Sequence, residues 1–270
     1  MTRSDAAAFA QRVRARESRR GGVLAPKTCR TILKSLRQSF DACPELEVNV
    51  FDRVRLPPLP DVEVAFLTRK EIDMLLAGVD LHRWGWVFGF LTLTGLRRSE
   101  FCGLRWSEVH LGDGYIDVKW RRTTAGSDVV EGAPKTRRAR RRVPLDPMAA
   151  RLLAARSQQR DHDRLAWGPD WCLHGDEYVW SFEDGSLPHP DRLTSEFGKF
   201  CAKIDITPCG LHGLRHTFAA AAIAAGVAPY ALSRALGHSQ VGFTYQVYGH
   251  LWDDGLVEEL GKITQMLGTA

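Results

Sequence analysis

The sequence predicts an α+β fold, mainly α with a small antiparallel β-sheet, preceded by a short and incomplete helical segment. Three observations carry this expectation. A proline-rich stretch, RLPPLPDVEVAFLT (55–68), has neither helical nor strand period and reads as a linker. Beyond it the pattern runs helix, then strands, then helices. Between the helical parts, GYIDVKWRRT (114–123) alternates as a half-buried strand does.

In chain order, a first helix is expected within residues 4–20. APKTCRTILKSLRQSFDAC (25–43) predicts an amphipathic helix, with Ile32, Leu33, Leu36 and Phe40 on its apolar stripe and Lys34 and Arg37 facing away. Two helices bury little core, so residues 1–61 read as a partial domain plus linker, and 62–270 as a compact domain. Thr68-Arg69-Lys70-Glu71 is a capping box, and Ile72, Leu75 and Leu76 follow at helical spacing. Residues 84–109 predict an apolar helix, a turn near Thr94-Gly95 and a second helix. GAPKTRRARRRVPLD (132–146) predicts a turn and a returning strand ending at Val143 and Leu145, after which the chain is mostly helix.

The net charge of +5 is uneven. Residues 1–22 set six Arg against Asp5 and Glu17, and KTRRARRR (135–142) is cationic at all but Thr136 and Ala139. The remainder is net negative. Concentrated positive charge on a slightly acidic body predicts a polyanion partner, most simply nucleic acid. The six cysteines are scattered without a CxxC pair, which argues against a zinc site or a disulfide framework and for a reducing cytoplasm. No apolar stretch is long enough to span a bilayer, and residues 1–20 lack the apolar run of a signal peptide. No acidic cluster offers the oxygen ligands that Mg²⁺ requires, so no metal or other cofactor is expected.

HGLRHTF (212–218) places His212, Arg215 and His216 at the edge of an alanine-rich helix. His212 and Arg215 share a face, near a helix start marked by Pro208 and Gly210. Arg97, in TGLRRSE, also opens a helix, where an arginine is disfavoured unless an anion joins it. Glu100, one turn on, is placed to orient Arg97 or Arg98. Lys135 lies at a turn, His238 follows the helix-stopping Gly237, and Tyr248 lies in TYQVYGHL. A phenol with its ordinary pKa near 10 is a poor nucleophile. A phosphate clamped by arginines neutralises the developing charge and makes its attack feasible.

In order and spacing these motifs resemble the tyrosine recombinase (phage integrase) family over residues 62–270, and FDRVRLPPLP resembles that family's interdomain linker. The resemblance implies a metal-independent site-specific recombinase that cleaves and rejoins double-stranded DNA through a 3′-phosphotyrosyl bond. It implies that Arg97 and Arg215 grip the scissile phosphate and that Lys135 protonates the departing 5′-oxygen. His212 would relay the tyrosine proton, His238 bond the phosphate, Tyr248 attack phosphorus, and Glu100 support the first arginine. His216 and His250 match common family letters and are assigned structural roles. Lys34, Arg37, Arg137, Arg138, Arg140 and Arg141 are the expected DNA contacts. For the apolar stripe Leu256, Val257, Leu260, Ile263 and Leu267, the resemblance implies a C-terminal helix that docks on a neighbouring protomer in a DNA-dependent homotetramer, with accessory DNA-bending or directionality proteins as further partners; the alternative is that this helix folds back on its own domain. Action at the nucleoid would follow. Three rival readings remain. A truncated integrase would bind DNA and recombine poorly, and a type IB topoisomerase would share the mechanism. A helix-turn-helix regulator would use AAAAIAAGVAPYALSRALGHS, with Ser233 and Arg234 offered to base edges.

Overall fold

The computed structural model describes residues 2–18, 21–59, 65–126, 128–134, 139–237, Gly242 and Tyr248. The chain forms two compact units, Met1–Glu63 and Val64–Ala270.

In the front unit, helix α1 (Arg3–Ala15) starts at a reciprocal cap. Thr2 Oγ1 accepts from the Asp5 N–H, and the Asp5 carboxylate accepts from the Thr2 N–H. Helix α2 (Pro26–Asp41) begins with Pro26, whose missing N–H costs nothing in a first turn. Ala6, Ala10 and Val13 of α1 and Cys29 and Leu33 of α2 are buried. Phe51 completes this small core, meeting the rings of Phe9 and Phe40 edge-on at 6.1 and 4.9 Å. Arg37 fastens the Phe51 segment: Nε and Nη2 donate to the Phe51 carbonyl, and Nη2 also to that of Val54. Arg37 therefore does not face away as the amphipathic pattern implies. Its guanidinium satisfies a loop, while Lys34 stays exposed.

The second unit is built around α4 (Gly85–Thr94), which is apolar nearly all round and correspondingly buried. Helices α3 (Arg69–Ala77), α6 (Pro147–Trp167), α8 (Pro190–Lys203) and α9 (Gly210–Ala224) pack against it. Phe88 of α4 stacks on Phe200 of α8 at 5.2 Å, and Trp84 meets Trp180 edge-on at 5.3 Å. The expected Thr68 and Glu71 capping box opens α3. A five-residue helix, α5 (Arg98–Cys102), follows the turn at Gly95, α7 (His174–Glu177) is a single turn, and α10 (Pro229–Leu236) follows α9. No helix among the described residues is long and apolar enough to cross a membrane.

The strands depart from the expected pair. Strands β1 (Val109–His110), β2 (Tyr115–Val118) and β5 (Arg141–Pro144) form one antiparallel sheet, with Ile116 opposite Val143 and Val118 opposite Arg141. The expected single strand over 114–123 is broken at Lys119-Trp120, where β3 (Arg121–Ala125) leaves to pair with β4 (Asp128–Gly132). This hairpin is not legible in the sequence, because β3 is Arg-Arg-Thr-Thr-Ala and the adjacent Val129 and Val130 of β4 do not alternate with polar residues, so neither strand carries an apolar period of two. Gly126, at φ 67°, makes the turn that left-handed backbone favours.

Candidate active site

The site begins where α4 stops. Gly95 adopts φ 62°, and a Cβ there would lie 2.5 Å from the Phe218 ring, so only glycine fits. The turn delivers Arg97 to the position capping α5, at the positive end of a helix. Glu100 resolves that conflict. Its Oε2 accepts the Arg97 N–H at 3.0 Å, and its Oε1 accepts Nη1 at 2.6 Å. Arg141 reaches the same carboxylate from β5 as a two-pronged fork, Nη1 to Oε1 at 3.1 Å and Nη2 to Oε2 at 3.0 Å. Burial alone would raise the Glu100 carboxyl, but Arg141 and then Arg97 outweigh it and hold it at about 2.

Arg215 lies on α9 and is only 2% exposed. Its Nη1 donates to the Gly95 carbonyl at 2.8 Å and its Nη2 to that of Leu236 at 2.6 Å. These carbonyls end α4 and α10, and each helix closes on a left-handed glycine, Gly95 at φ 62° and Gly237 at φ 65°. Two negative helix ends thus hold a buried guanidinium to which, among the described residues, no carboxylate is hydrogen-bonded. Burial, followed by the charge of Arg97, pushes Arg215 down to about 9, so it stays protonated at neutral pH. Arg97 Nη2 approaches the neighbouring Gly237 carbonyl at 3.4 Å, and the Arg97 side chain remains 33% exposed. Arg97, Arg141 and Arg215 set against Glu100 leave a surplus of two positive charges, matched to an anion.

Tyr248 packs with Ala219, Ile223, Leu232 and Leu236 in a satellite core and is 3% exposed. Its Oη lies 2.5 Å from His216 Nδ1. Burial pushes the phenol up to about 12, against the pull of Arg215. Burial, then His212 and Arg215, push His216 down to about 4. Both groups are therefore neutral at neutral pH and share one proton in the hydrogen bond. The exposed His212 meets His216 edge-on at 4.6 Å.

Arg97, Glu100, Arg215, His212 and Tyr248 thus cluster around the ends of α4, α9 and α10. Lys135, Arg137, Arg138, His238 and the stripe from Leu256 to Leu267 lie outside the described residues. Arg140 is exposed, as expected of a DNA contact. Arg141 is not on that surface: its side chain is 6% exposed and turned inward onto Glu100. The signal was available in the strand period, because Arg141 is two residues from the buried Val143 and so shares its inward face. Arg142, one residue on, points outward and covers the Tyr115 ring at 3.9 Å. His216, assigned a structural role, touches the phenol; its place beside Arg215 on α9 was the available clue. The helix-turn-helix reading fails on burial. Ser233, the polar residue it would offer to bases along with Arg234, is 2% exposed.

A family model described as the phage integrase family matches residues 65–254. The ICEBs1 integrase of Bacillus subtilis is 27% identical over 250 residues, covering 90% of this chain and 67% of that protein. A XerC-like tyrosine recombinase of Caldanaerobacter subterraneus is 24% identical, covering 74% of this chain and 54% of its own length. The transposase of transposon Tn916 from Enterococcus faecalis is 29% identical, covering 65% and 44%. Beside the two-thirds of the ICEBs1 integrase, the chain thus spans about half the length of these other two relatives. Among solved structures, the Tn1549 transposon integrase in complex with transposon right-end DNA superposes with a TM-score of 0.78 at 21% identity, covering 97% of this chain and 85% of that one. A lambda integrase dimer bound to a core site gives 0.59 at 14% identity, covering 92% and 64%.

Proposed function

The chain belongs to the phage integrase family, and from that premise we propose that it is a site-specific DNA recombinase working through a 3′-phosphotyrosyl intermediate. The single observation that carries the reading is the fixed pair Arg97 and Arg215, with a surplus of positive charge, beside a buried tyrosine. Arg97 and Arg215 hold the non-bridging oxygens of one phosphodiester, a task suited to planar guanidinium forks. Tyr248 Oη forms a bond to phosphorus as the bond to the 5′-oxygen breaks. The phenolic proton passes to His212, Lys135 protonates the leaving oxygen, and His238 bonds the phosphate. Energy stays in the phosphotyrosyl ester, and the reverse attack by a 5′-hydroxyl of another strand completes exchange.

Double-stranded DNA is the substrate, and the nucleoid is the place of action. Arg140 on the catalytic unit, together with Lys135, Arg137 and Arg138, contacts its backbone. In the front unit, Lys34 is joined by a surface cavity of about 290 Å³ lined by Arg3, Arg14, Arg53 and Arg55. Assembly as a DNA-dependent homotetramer through the C-terminal segment, aided by accessory DNA-bending proteins, belongs to the same proposal. The test is a nicked suicide duplex carrying the cognate site, resolved by denaturing electrophoresis. The wild-type chain is expected to give a covalent protein–DNA band, and Tyr248→Phe to lose it while binding DNA as before. A band that persists in Tyr248→Phe and disappears in Tyr245→Phe would overturn the assignment.

A further inference from the structure

We infer that Arg141 is a positioning residue of the phosphate clamp, acting through Glu100 and the end of α10 to set the charge and orientation of Arg97. The inference rests on the recombinase reading of the site and departs from the expectation that Arg141 contacts DNA.

Three features of its surroundings lead here. First, the Arg141 fork occupies both oxygens of Glu100, and Oε1 is shared with Arg97 Nη1. A carboxylate paired with Arg97 alone would cancel its charge. With Arg141 also present, the trio keeps a net positive charge to direct at a phosphate. Second, Arg141 Nε donates to the Ala235 carbonyl at 2.6 Å, one residue before the carbonyl that receives Arg215 and two before the one approached by Arg97. Arg141 thereby fixes the helix end on which both clamp arginines rest. Third, the backbone makes room for it. A Cβ on Gly237 would lie 2.9 Å from Arg141 Nη1, so the glycine that closes α10 also admits this guanidinium. Arg141 opens β5, and its register opposite Val118 ties it to the core sheet. The side chain is 6% exposed and Glu100 4%, so the pair is a desolvated ion pair whose value is orientation more than stability.

A buried residue that orients a clamp has a distinct signature. In the full-length chain, Arg141→Gln is expected to slow covalent adduct formation at saturating duplex by about 10²-fold, as small displacements of catalytic groups do. DNA affinity should stay nearly unchanged, because no backbone contact is removed. Phosphorus NMR line broadening of inorganic phosphate gives a readout independent of cleavage, and binding should weaken in Arg141→Gln. In the double variant with Glu100→Gln, the rate loss should fall well short of the product of the two single losses, because Arg141 acts in part through Glu100. Losses that multiply would overturn the inference. So would an Arg141→Gln protein that melts lower yet cleaves and binds phosphate at wild-type strength. If Arg141→Gln does not fold, Arg141→Lys with Glu100→Asp runs the same cycle: a retained charge without the fork is expected to slow cleavage, again without multiplication. A wild-type chain that forms no adduct on any duplex defeats the recombinase reading. Phosphate binding that still depends on Arg141 would leave this inference standing.

Discussion

The proposed phosphate clamp and the proposed nucleophile are held in opposite ways. Arg215 joins two helix ends, Arg141 makes hydrogen bonds to Glu100, Ala235 and Ala139, and Glu100 binds two guanidiniums. Tyr248 sits in a small satellite core, and among the described residues its hydroxyl has the single partner His216. Positive charge is thus fixed before any substrate arrives, while the phenol is stored neutral. Preorganised charge acts without reorganisation at the moment of reaction. A neutral, buried phenol is slow until an anion and its proton acceptor are beside it.

The comparison breaks most visibly at Arg215. Arg215→Ala is expected to lower the rate of adduct formation by about 10²–10³, the loss typical of one preorganised donor. It would also leave the Gly95 and Leu236 carbonyls without this donor, at about 1–3 kcal/mol for each buried group left unpaired. Arg215→Lys keeps the charge, but an ammonium on a flexible stem cannot span the two carbonyls, so its adduct rate should resemble that of Ala more than that of Arg. Single-turnover cleavage measures this, and wild-type speed in Arg215→Lys would show that the two-ended geometry is not needed.

The same contrast governs what the sequence revealed. Arg97, Glu100 and Arg215 were legible because local motifs declare them: a cationic residue at a helix start, an acid one turn later, a histidine and arginine on one face. The second unit's α4, the turn at Gly95 and the Thr68 cap were legible for the same local reasons. Arg141 was misplaced because a run of arginines reads as uniformly solvated, and its partner lies 41 residues away in sequence. Only the inward period shared with Val143 distinguishes it from Arg142. The core of the front unit was hidden for a related reason: Phe51 lies in a loop without periodicity, yet it fills the gap between two helices.

A smaller effect separates the two glycines that end the clamp helices. Both hold left-handed backbone, so alanine at either costs about 1–2 kcal/mol. At Gly95 the new Cβ would meet the Phe218 ring at 2.5 Å, whereas at Gly237 it would meet the Arg141 guanidinium at 2.9 Å. A packed ring yields less than the end of a long side chain. Gly95→Ala should therefore lose more unfolding free energy in urea than Gly237→Ala. Gly237→Ala, which displaces Arg141, should lose cleavage rate out of proportion to its stability. Equal rates in Gly237→Ala and the wild type would mean that the clamp tolerates movement at this helix end.

The smallest effect belongs to the nucleophile's side and is read in pH. His216 is pushed from an ordinary 6.5 to about 4 in the folded chain, by burial first and then by His212 and Arg215. Between those values the unfolded chain binds more protons than the folded one, so the contribution of His216 is complete above pH 6.5 and declines as pH falls toward 4. Glu100 acts in the same direction at lower pH: held at about 2 against an ordinary 4.5, its contribution is complete above 4.5 and is lost as pH falls through 2. His216→Phe preserves an aromatic ring but cannot titrate or bond the Tyr248 hydroxyl. The variant should show a flatter stability curve between pH 6.5 and 4, with the steeper loss assigned to Glu100 retained below it. Because the proposed mechanism passes the cleavage proton to His212, the variant should still form the covalent adduct, with its phenol no longer tied to α9. Urea unfolding at a series of pH values reads the first expectation, and the suicide duplex reads the second. An unchanged pH slope would mean that His216 is not held neutral by its surroundings, and loss of the adduct would move His216 from storing the phenol to activating it.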